Sequence, residues 1–240
     1  MRATTRALAG RATRRARGSG RAGRGSGVRW DAAATRAALL SAGAALFSER
    51  GFDGVTTATV AARAGVNKAL ISYHFGGKRG LYQAILSSGF AAMADRLKAV
   101  EALGREARET LRGLLAAFAA VALSRPDFPV LFVREVLSRG IEPAVLPHLV
   151  EILGVTRRVA ERGMREGAFR RVDPAAMHLA LVGSLVFFLA TEPARRRAIA
   201  AHALPPMPAF PEFLRYLEEL TLRGLAPGPH SPVRRKGAHA

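Results

Sequence analysis

Residues 56–78, with the sequence TTATVAARAGVNKALISYHFGGK, concentrate side chains that can bind nucleic acid. Lys68 supplies a cation, Ser72 and His74 supply hydrogen-bonding groups, and Tyr73 supplies an aromatic ring. Groups of these kinds contact phosphates and base edges in the major groove of DNA. Their occurrence within one short segment predicts a DNA-reading surface.

Two short helices joined by a turn are needed to hold these side chains. Thr56 and Thr57 are suitable N-cap residues, because a hydroxyl oxygen can accept from the free backbone N–H groups of a first turn. Gly65 can adopt the positive φ that ends a helix, and Val66 can then enter the core. A second helix is predicted over about Asn67–His74. Together these elements predict a helix-turn-helix.

The rest of the chain shows helical periodicity and no strand-like alternation. A first helix begins near Asp31 and ends near Arg50. Further helices are predicted over Lys78–Leu103, Glu106–Leu123, Phe128–Ser138, Ala144–Glu166, Pro174–Ala190, Ala194–His202 and Pro211–Arg223. We therefore expect an all-α fold with a three-helix DNA-binding domain at residues 30–77, joined by a long helix to a larger helical domain at residues 78–225. A disordered basic arm (1–29) and a disordered tail (226–240) would flank them.

Charge and composition narrow the class of partner. The net charge is +19, and residues 1–29 hold nine arginines and no acidic residue. Such an excess favours a polyanionic partner, although a codon bias that enriches Arg, Ala and Gly would give a similar composition. The chain has no cysteine, which excludes disulfides and thiolate sites and fits a reducing cytosol. The sequence contains no run of 18 apolar residues, so no membrane span is predicted.

The ordered set of features in about Asp31–Ile85 resembles the TetR family of transcriptional regulators. The matching features are Leu46–Phe47 in the first helix, Gly51–Phe52, the helix start Thr56–Thr57, Ala61, Ala64–Gly65–Val66, Tyr73–His74–Phe75, Lys78 and Leu81–Tyr82. The resemblance implies that Thr56, Thr57 and Lys78 contact DNA phosphates. It places Lys68, Ala69, Ser72, Tyr73 and His74 in or beside the major groove. Ala69 and Ser72 depart from the glycine and the aromatic residue that are frequent at these positions in the family.

The same resemblance implies a small-molecule pocket in the C-terminal domain. The candidate lining residues are Phe118, Phe128, Phe132, Arg134, Glu135 and Phe187. The phenylalanines could equally be ordinary core residues. Arg134 and Glu135 form either an internal salt bridge or a polar anchor for a ligand. His148 and His178 lack a nearby carboxylate pattern, so neither a metal site nor a cofactor is expected.

A dimer interface is implied on the last two principal helices, about Pro174–Ala190 and Pro211–Arg223. The candidate interface residues are Leu181, Leu185, Phe188, Phe213, Leu217 and Leu220. A single recognition helix reads only a few base pairs, whereas a two-fold dimer reads a palindromic operator.

These observations predict a cytoplasmic, homodimeric DNA-binding regulator, associated with the nucleoid when bound, that acts as a repressor released by a small apolar or amphipathic ligand. The alternative is a sequence-indifferent basic chromosomal protein. An enzyme is not expected, because the sequence has no nucleophile elbow, no phosphate loop and no paired carboxylates facing a histidine.

Overall fold

A computed structural model of the protein describes residues 31–138 and 140–228, without the side chain of Ser138. The basic arm and residues 229–240 of the predicted tail lie outside these described residues. Within them, regular secondary structure is entirely helical, which confirms the predicted fold class. The helices are α1 (Ala32–Arg50), α2 (Thr57–Ala64), α3 (Ala69–Phe75), α4 (Lys78–Glu101), α5 (Ala107–Ser124), α6 (Phe128–Ser138), α7 (Leu146–Arg165), α8 (Pro174–Ala190), α9 (Glu192–Ala200) and α10 (Phe210–Gly224).

The helix-turn-helix is fixed by local interactions. The Thr56 side chain accepts a hydrogen bond from the backbone N–H of Thr59, and the Thr59 hydroxyl oxygen accepts one from the N–H of Thr56, both at 3.1 Å. This reciprocal cap satisfies donors that the first turn of α2 leaves free. Gly65 ends α2 at φ 67°, as predicted, since only glycine adopts this left-handed conformation without strain. The chain can then turn tightly into α3.

The long helix α4 connects the helix-turn-helix to the rest of the fold. Its 24 residues span about 36 Å at the usual rise of an α-helix. Near its start, the Tyr82 ring packs edge-on against Phe47 of α1, with centroids 5.0 Å apart. Farther along, Phe90 and Leu97 are buried against the C-terminal helices. One hydrophobic core therefore continues from α1 to the end of α10.

Helices α5, α6 and α7 pack against α4, and α8 to α10 complete the domain by packing on these helices and on one another. α7 contacts α4, α5 and α8, and α8 also contacts α6 and α10. α8 begins as predicted, because the Asp173 carboxylate accepts from the N–H groups of Ala175 and Ala176 at 2.7 and 2.9 Å, and Pro174 occupies the first helical position. None of the described helices alone is long and apolar enough to cross a membrane, although two sharply bent helix pairs meet the length and composition criteria together.

Candidate nucleic-acid interface and ligand cavity

The exposed side of α3 carries the side chains that the sequence predicts for DNA contact. Ile71 is fully buried and anchors the helix, whereas Tyr73 is 80% exposed. Lys68, Ala69 and Ser72 are also exposed. Because successive residues of a helix point in different directions, burial of Ile71 turns this polar side outward. We call the exposed side chains of residues 56–78 the reading surface.

The ends of α3 are held in place by nearby groups. At its start, Asn67 Oδ1 accepts from the backbone N–H of Ala69 at 2.8 Å. At its end, the half-buried His74 ring lies edge-on to the Tyr73 ring at 5.0 Å. The Arg36 guanidinium of α1 lies 5.2 Å from the Phe75 ring centroid. Arg36 was not predicted as part of this region, and nothing in its local sequence signals the contact.

The remaining predicted DNA contacts lie at the flanks of the reading surface. Thr56 is exposed and Thr57 is half-buried at the start of α2. The Lys78 ammonium lies 4.2 Å from the Phe52 ring centroid, which is cation–π geometry. None of the eight predicted DNA-binding residues is buried. Their DNA contacts remain predictions.

A cavity of about 430 Å³ lies among α4, α5, α6, α7 and α8. Phe118, Phe128 and Phe132 line it, as the sequence predicts. Other residues that line the cavity were not predicted, among them Met93 of α4 and Ile152 of α7. Their apolar character was visible in the sequence, but their shared location depends on how the helices pack.

Three predicted ligand contacts require correction. Arg134 is exposed, and Phe187 is 70% exposed; neither lines the cavity. Glu135 is only 4% exposed, but it borders a separate small space rather than the cavity. Both Glu135 carboxylate oxygens lack a hydrogen-bond partner among the described residues, so they accept no hydrogen bond from Arg134. Neighbouring residues of a helix point in different directions, which separates this pair.

The predicted dimer residues also divide into two groups. Leu181, Leu185 and Leu217 are buried within the chain itself, with Leu185 in the wall of the cavity, so each exposes less than a tenth of its surface to a partner. The Phe188 and Phe213 rings stack on each other with centroids 4.1 Å apart and are partly exposed. The exposed large apolar residues of the same two helices are Leu179, which also borders the cavity, Phe187, Tyr216 and Leu220.

Two family models match the chain in the order of its structure. Residues 39–85 match the bacterial regulatory proteins of the tetR family, and residues 108–203 match the tetracyclin repressor-like C-terminal domain. The first match contains the reading surface, and the second contains most of the cavity. The chain belongs to the TetR family. It is therefore a DNA-binding transcriptional regulator, because members of this family are transcription factors and not enzymes.

Relatives and solved structures agree with this placement. The HTH-type transcriptional repressor NicS of Pseudomonas putida is 28% identical over 196 residues, which cover 80% of this chain and 92% of NicS. The TetR-family regulator PfmR of Thermus thermophilus superposes with a TM-score of 0.63 at 24% identity, over 79% of this chain and 99% of PfmR. A TetR-family protein from Rhodococcus RHA1 superposes with a TM-score of 0.64 at 21% identity, over 80% of this chain and 97% of that protein. The two structures show a shared fold.

In this TetR-family chain, α6 lines the cavity and also contacts α1. Phe128, its first residue, lines the cavity and fits against Gly89 of α4, where a Cβ atom would lie 2.2 Å from the Phe128 ring. The preceding residue, Asp127, accepts a hydrogen bond from Ser48 of α1 at 3.0 Å. A displacement of Phe128 would therefore also displace Asp127 and alter its hydrogen bond with α1.

The segment between α6 and α7 makes a second connection. Ile141 lines the cavity. The adjacent Glu142 accepts hydrogen bonds from Arg79 and Gln83 of α4, both at 3.0 Å. Arg79 directly follows Lys78 of the reading surface. The cavity wall is thus tied to the first turns of α4 as well as to α1.

Proposed function

We propose that this protein is a homodimeric, sequence-specific repressor whose operator affinity is controlled by a small apolar or amphipathic molecule bound in the cavity. One observation carries the proposal: the continuous helix α4 starts at the reading surface and contributes Phe90 and Met93 to the wall of an apolar cavity of about 430 Å³. This volume falls within the roughly 300–1,000 Å³ of pockets that take small molecules. The site is therefore suited to effector control.

The reading surface has the chemistry that operator binding requires. Lys78 would contact phosphates, which position the protein on the duplex, and Lys68 would lie in or beside the major groove. Ser72, Tyr73 and His74 would meet base edges and sugars in the major groove. Thr56 and Thr57 would contact phosphates at the start of α2, and the small Ala69 side chain would allow close approach of α3. We expect residues 30–77 to act as the DNA-binding domain and residues 78–225 as the effector and dimerisation domain.

Dimerisation would use the outer faces of α8 and α10. Leu220 and Tyr216 of α10 are exposed, and so is Phe187 of α8. Phe188 and Phe213 would support this surface from within by their stacked rings. A two-fold dimer would place two α3 helices on a palindromic operator with half-sites about 34–36 Å apart.

Effector control would follow from the two connections at the ends of α6. An effector that displaces Phe128 or Ile141 would strain the Ser48–Asp127 bond and the contacts of Glu142 with α4. The α4 start and the α3 helix of each protomer would then move, which changes the spacing of the two reading surfaces. An effector produces this shift only to the extent that it binds the two arrangements with different affinity. Release of the operator is expected because the similar protein NicS is a repressor by name.

The test is selection of binding sites from a random DNA duplex library at physiological salt. Two proteins would be compared: the full chain and a variant that lacks residues 1–29. We expect both to enrich the same two-fold symmetric site, because the reading surface supplies specificity. If neither enriches a site and affinity collapses without the basic arm, the protein is a sequence-indifferent DNA binder and the proposal is wrong. Light scattering with the selected duplex would report whether two protomers bind one site.

A further inference from the structure

One histidine interrupts the apolar wall of the cavity. His178 lies on α8, and its ring is edge-on to Phe118, with centroids 6.4 Å apart. Every other described residue that lines the cavity has an apolar side chain or none. A second and much smaller space that His178 also borders is lined by apolar residues and by Thr156 of α7. Few groups are therefore available to bond the imidazole.

Thr156 is the hydrogen-bond partner of His178 Nδ1, with its hydroxyl oxygen 3.1 Å from that nitrogen. The same hydroxyl oxygen lies 3.2 Å from the carbonyl oxygen of Ile152. A threonine hydroxyl has a single hydrogen, so when it donates to Ile152 it acts as acceptor toward Nδ1. In that arrangement Nδ1 donates, and in a neutral ring Nε2 keeps its lone pair.

The surroundings keep this ring neutral. Burial lowers the pKa of His178, since the imidazolium ion loses solvation in the interior. The residues of α4 to α8 that line the two spaces beside the ring include no charged side chain, so no carboxylate compensates for this loss. Nε2 makes no hydrogen bond to any part of the protein that the structure describes. His178 thus gives the cavity wall one uncharged hydrogen-bond acceptor.

We propose that the cavity selects a neutral, mainly apolar molecule with one hydroxyl group, and that Nε2 of His178 accepts the hydrogen bond from that hydroxyl. A bound molecule without a donor would cover Nε2 and leave it unsatisfied, which costs free energy. A carboxylate would bring a charge into a wall without a cation, which costs more. The inference rests on the proposed effector role of the cavity and specifies the chemical class of the effector.

Probes of matched shape can separate these classes without knowledge of the natural effector. We choose 4-phenylphenol, its methyl ether 4-methoxybiphenyl, and biphenyl-4-carboxylic acid, with 4-pentylphenol and 4-pentylanisole as a second phenol–ether pair. Within each pair the apolar body and the oxygen are the same, and a methyl group replaces the hydroxyl hydrogen, so the ether cannot donate a hydrogen bond. Isothermal titration calorimetry on the full chain at pH 7.5 would give the dissociation constants. We expect each phenol to bind at least tenfold more tightly than its ether, and the acid to bind more weakly than 4-phenylphenol.

Two histidine variants show where the preference arises. His178→Phe keeps a ring of similar volume and removes the acceptor, so the phenol and its ether should bind within about twofold of each other. His148→Phe is the matched control. His148 lies on α7, where its Nε2 is 3.3 Å from Ser87 Oγ, and it does not line the cavity. This variant should retain the full preference for phenols.

A measurement on the unsubstituted protein keeps the inference testable if His178→Phe does not fold. Long-range ¹H–¹⁵N spectra of the imidazole should show a neutral ring at pH 7.5 with the proton on Nδ1, and the Nε2 resonance should shift when 4-phenylphenol binds. An Nε2–H tautomer, a protonated ring, equal affinity for phenols and ethers, or failure of all five compounds to bind would each overturn the inference. These measurements use no DNA, so their failure is distinguishable from failure to select an operator.

Discussion

The reading surface takes its side chains from one continuous stretch of 23 residues, 56–78, whereas the cavity collects its walls from five helices that begin at Lys78 and end at Ala190. The first is polar and exposed, and the second is apolar apart from His178. Helix caps and turns within a short segment are enough to expose the side chains of the reading surface. The cavity, in contrast, forms only when helices that are distant in sequence pack together. Substitutions should therefore act differently in the two regions: on DNA contact alone in the first, and on folding in the second.

The largest expected effect is on operator binding. The double substitution Lys68→Ala/Tyr73→Ala should weaken binding to the selected operator at least about 100-fold, because specific contacts are each worth about 1–3 kcal/mol. Folding should be unaffected, since both side chains are exposed. Fluorescence anisotropy with a labelled operator would measure binding, and circular dichroism would measure helicity.

A charge-matched control separates contact from net charge. Arg96 is exposed near the far end of α4, so Arg96→Ala removes a positive charge away from the reading surface. Normal operator affinity in Lys68→Ala/Tyr73→Ala would mean that α3 is not the recognition helix.

The second effect is on stability, at the contact between the cavity and α4. In Gly89→Ala the new Cβ would lie 2.2 Å from the Phe128 ring, so α6 must shift. Overpacking of this kind costs about 1–3 kcal/mol. Gly183→Ala is the control, because its Cβ would meet no atom within 4 Å and alanine favours the helix. Urea denaturation should show a lower free energy of unfolding for Gly89→Ala and no decrease for Gly183→Ala, both relative to the unsubstituted protein. Equal stability of the two variants would contradict the packing described here.

A third prediction concerns the interaction free energy across the contact between α1 and the segment that leads into the cavity wall. The Ser48–Asp127 hydrogen bond links α1 to the residue before α6. Ser48→Ala, Asp127→Ala and the double variant form a cycle whose interaction free energy should be about 1 kcal/mol. Denaturation of the four proteins would give this value. Strict additivity of the two substitutions would show that the bond does not couple these helices.

The smallest effect is the pH dependence contributed by His178. Its pKa is lowered in the folded protein from the ordinary value of 6.5, so between these two pKa values the unfolded chain binds more protons. The stability from this group is therefore complete above about pH 6.5 and falls as the pH decreases, by at most about 1.4 kcal/mol per pH unit. His178→Phe should flatten the pH dependence of the free energy of unfolding in this range. An unchanged slope would show that His178 does not titrate differently on folding.

The helices of the fold, the turn between α2 and α3 and the polar character of the reading surface could be predicted from local sequence. α6 and α8 have the predicted bounds, and Gly65 and Asp173 act as predicted at helix ends. These features depend on interactions within a few residues, such as caps, breakers and 3.6-residue periodicity, and a sequence displays them directly. The identity of the exposed α3 residues follows for the same reason, because one buried residue, Ile71, fixes the orientation of a short helix.

Only the tertiary structure decided which apolar residues enclose the cavity and which polar group enters it. Arg134 and Glu135 were candidates for an internal salt bridge or a polar anchor, and both lie outside the cavity, while His178, from a distant helix, lines it. In the same way, Leu181 and Leu185 proved to be internal to the chain. An apolar helix face in a sequence predicts that its residues are buried, but it does not predict which helix or partner buries them. Side chains separated by many residues meet only when helix packing sets their relative positions.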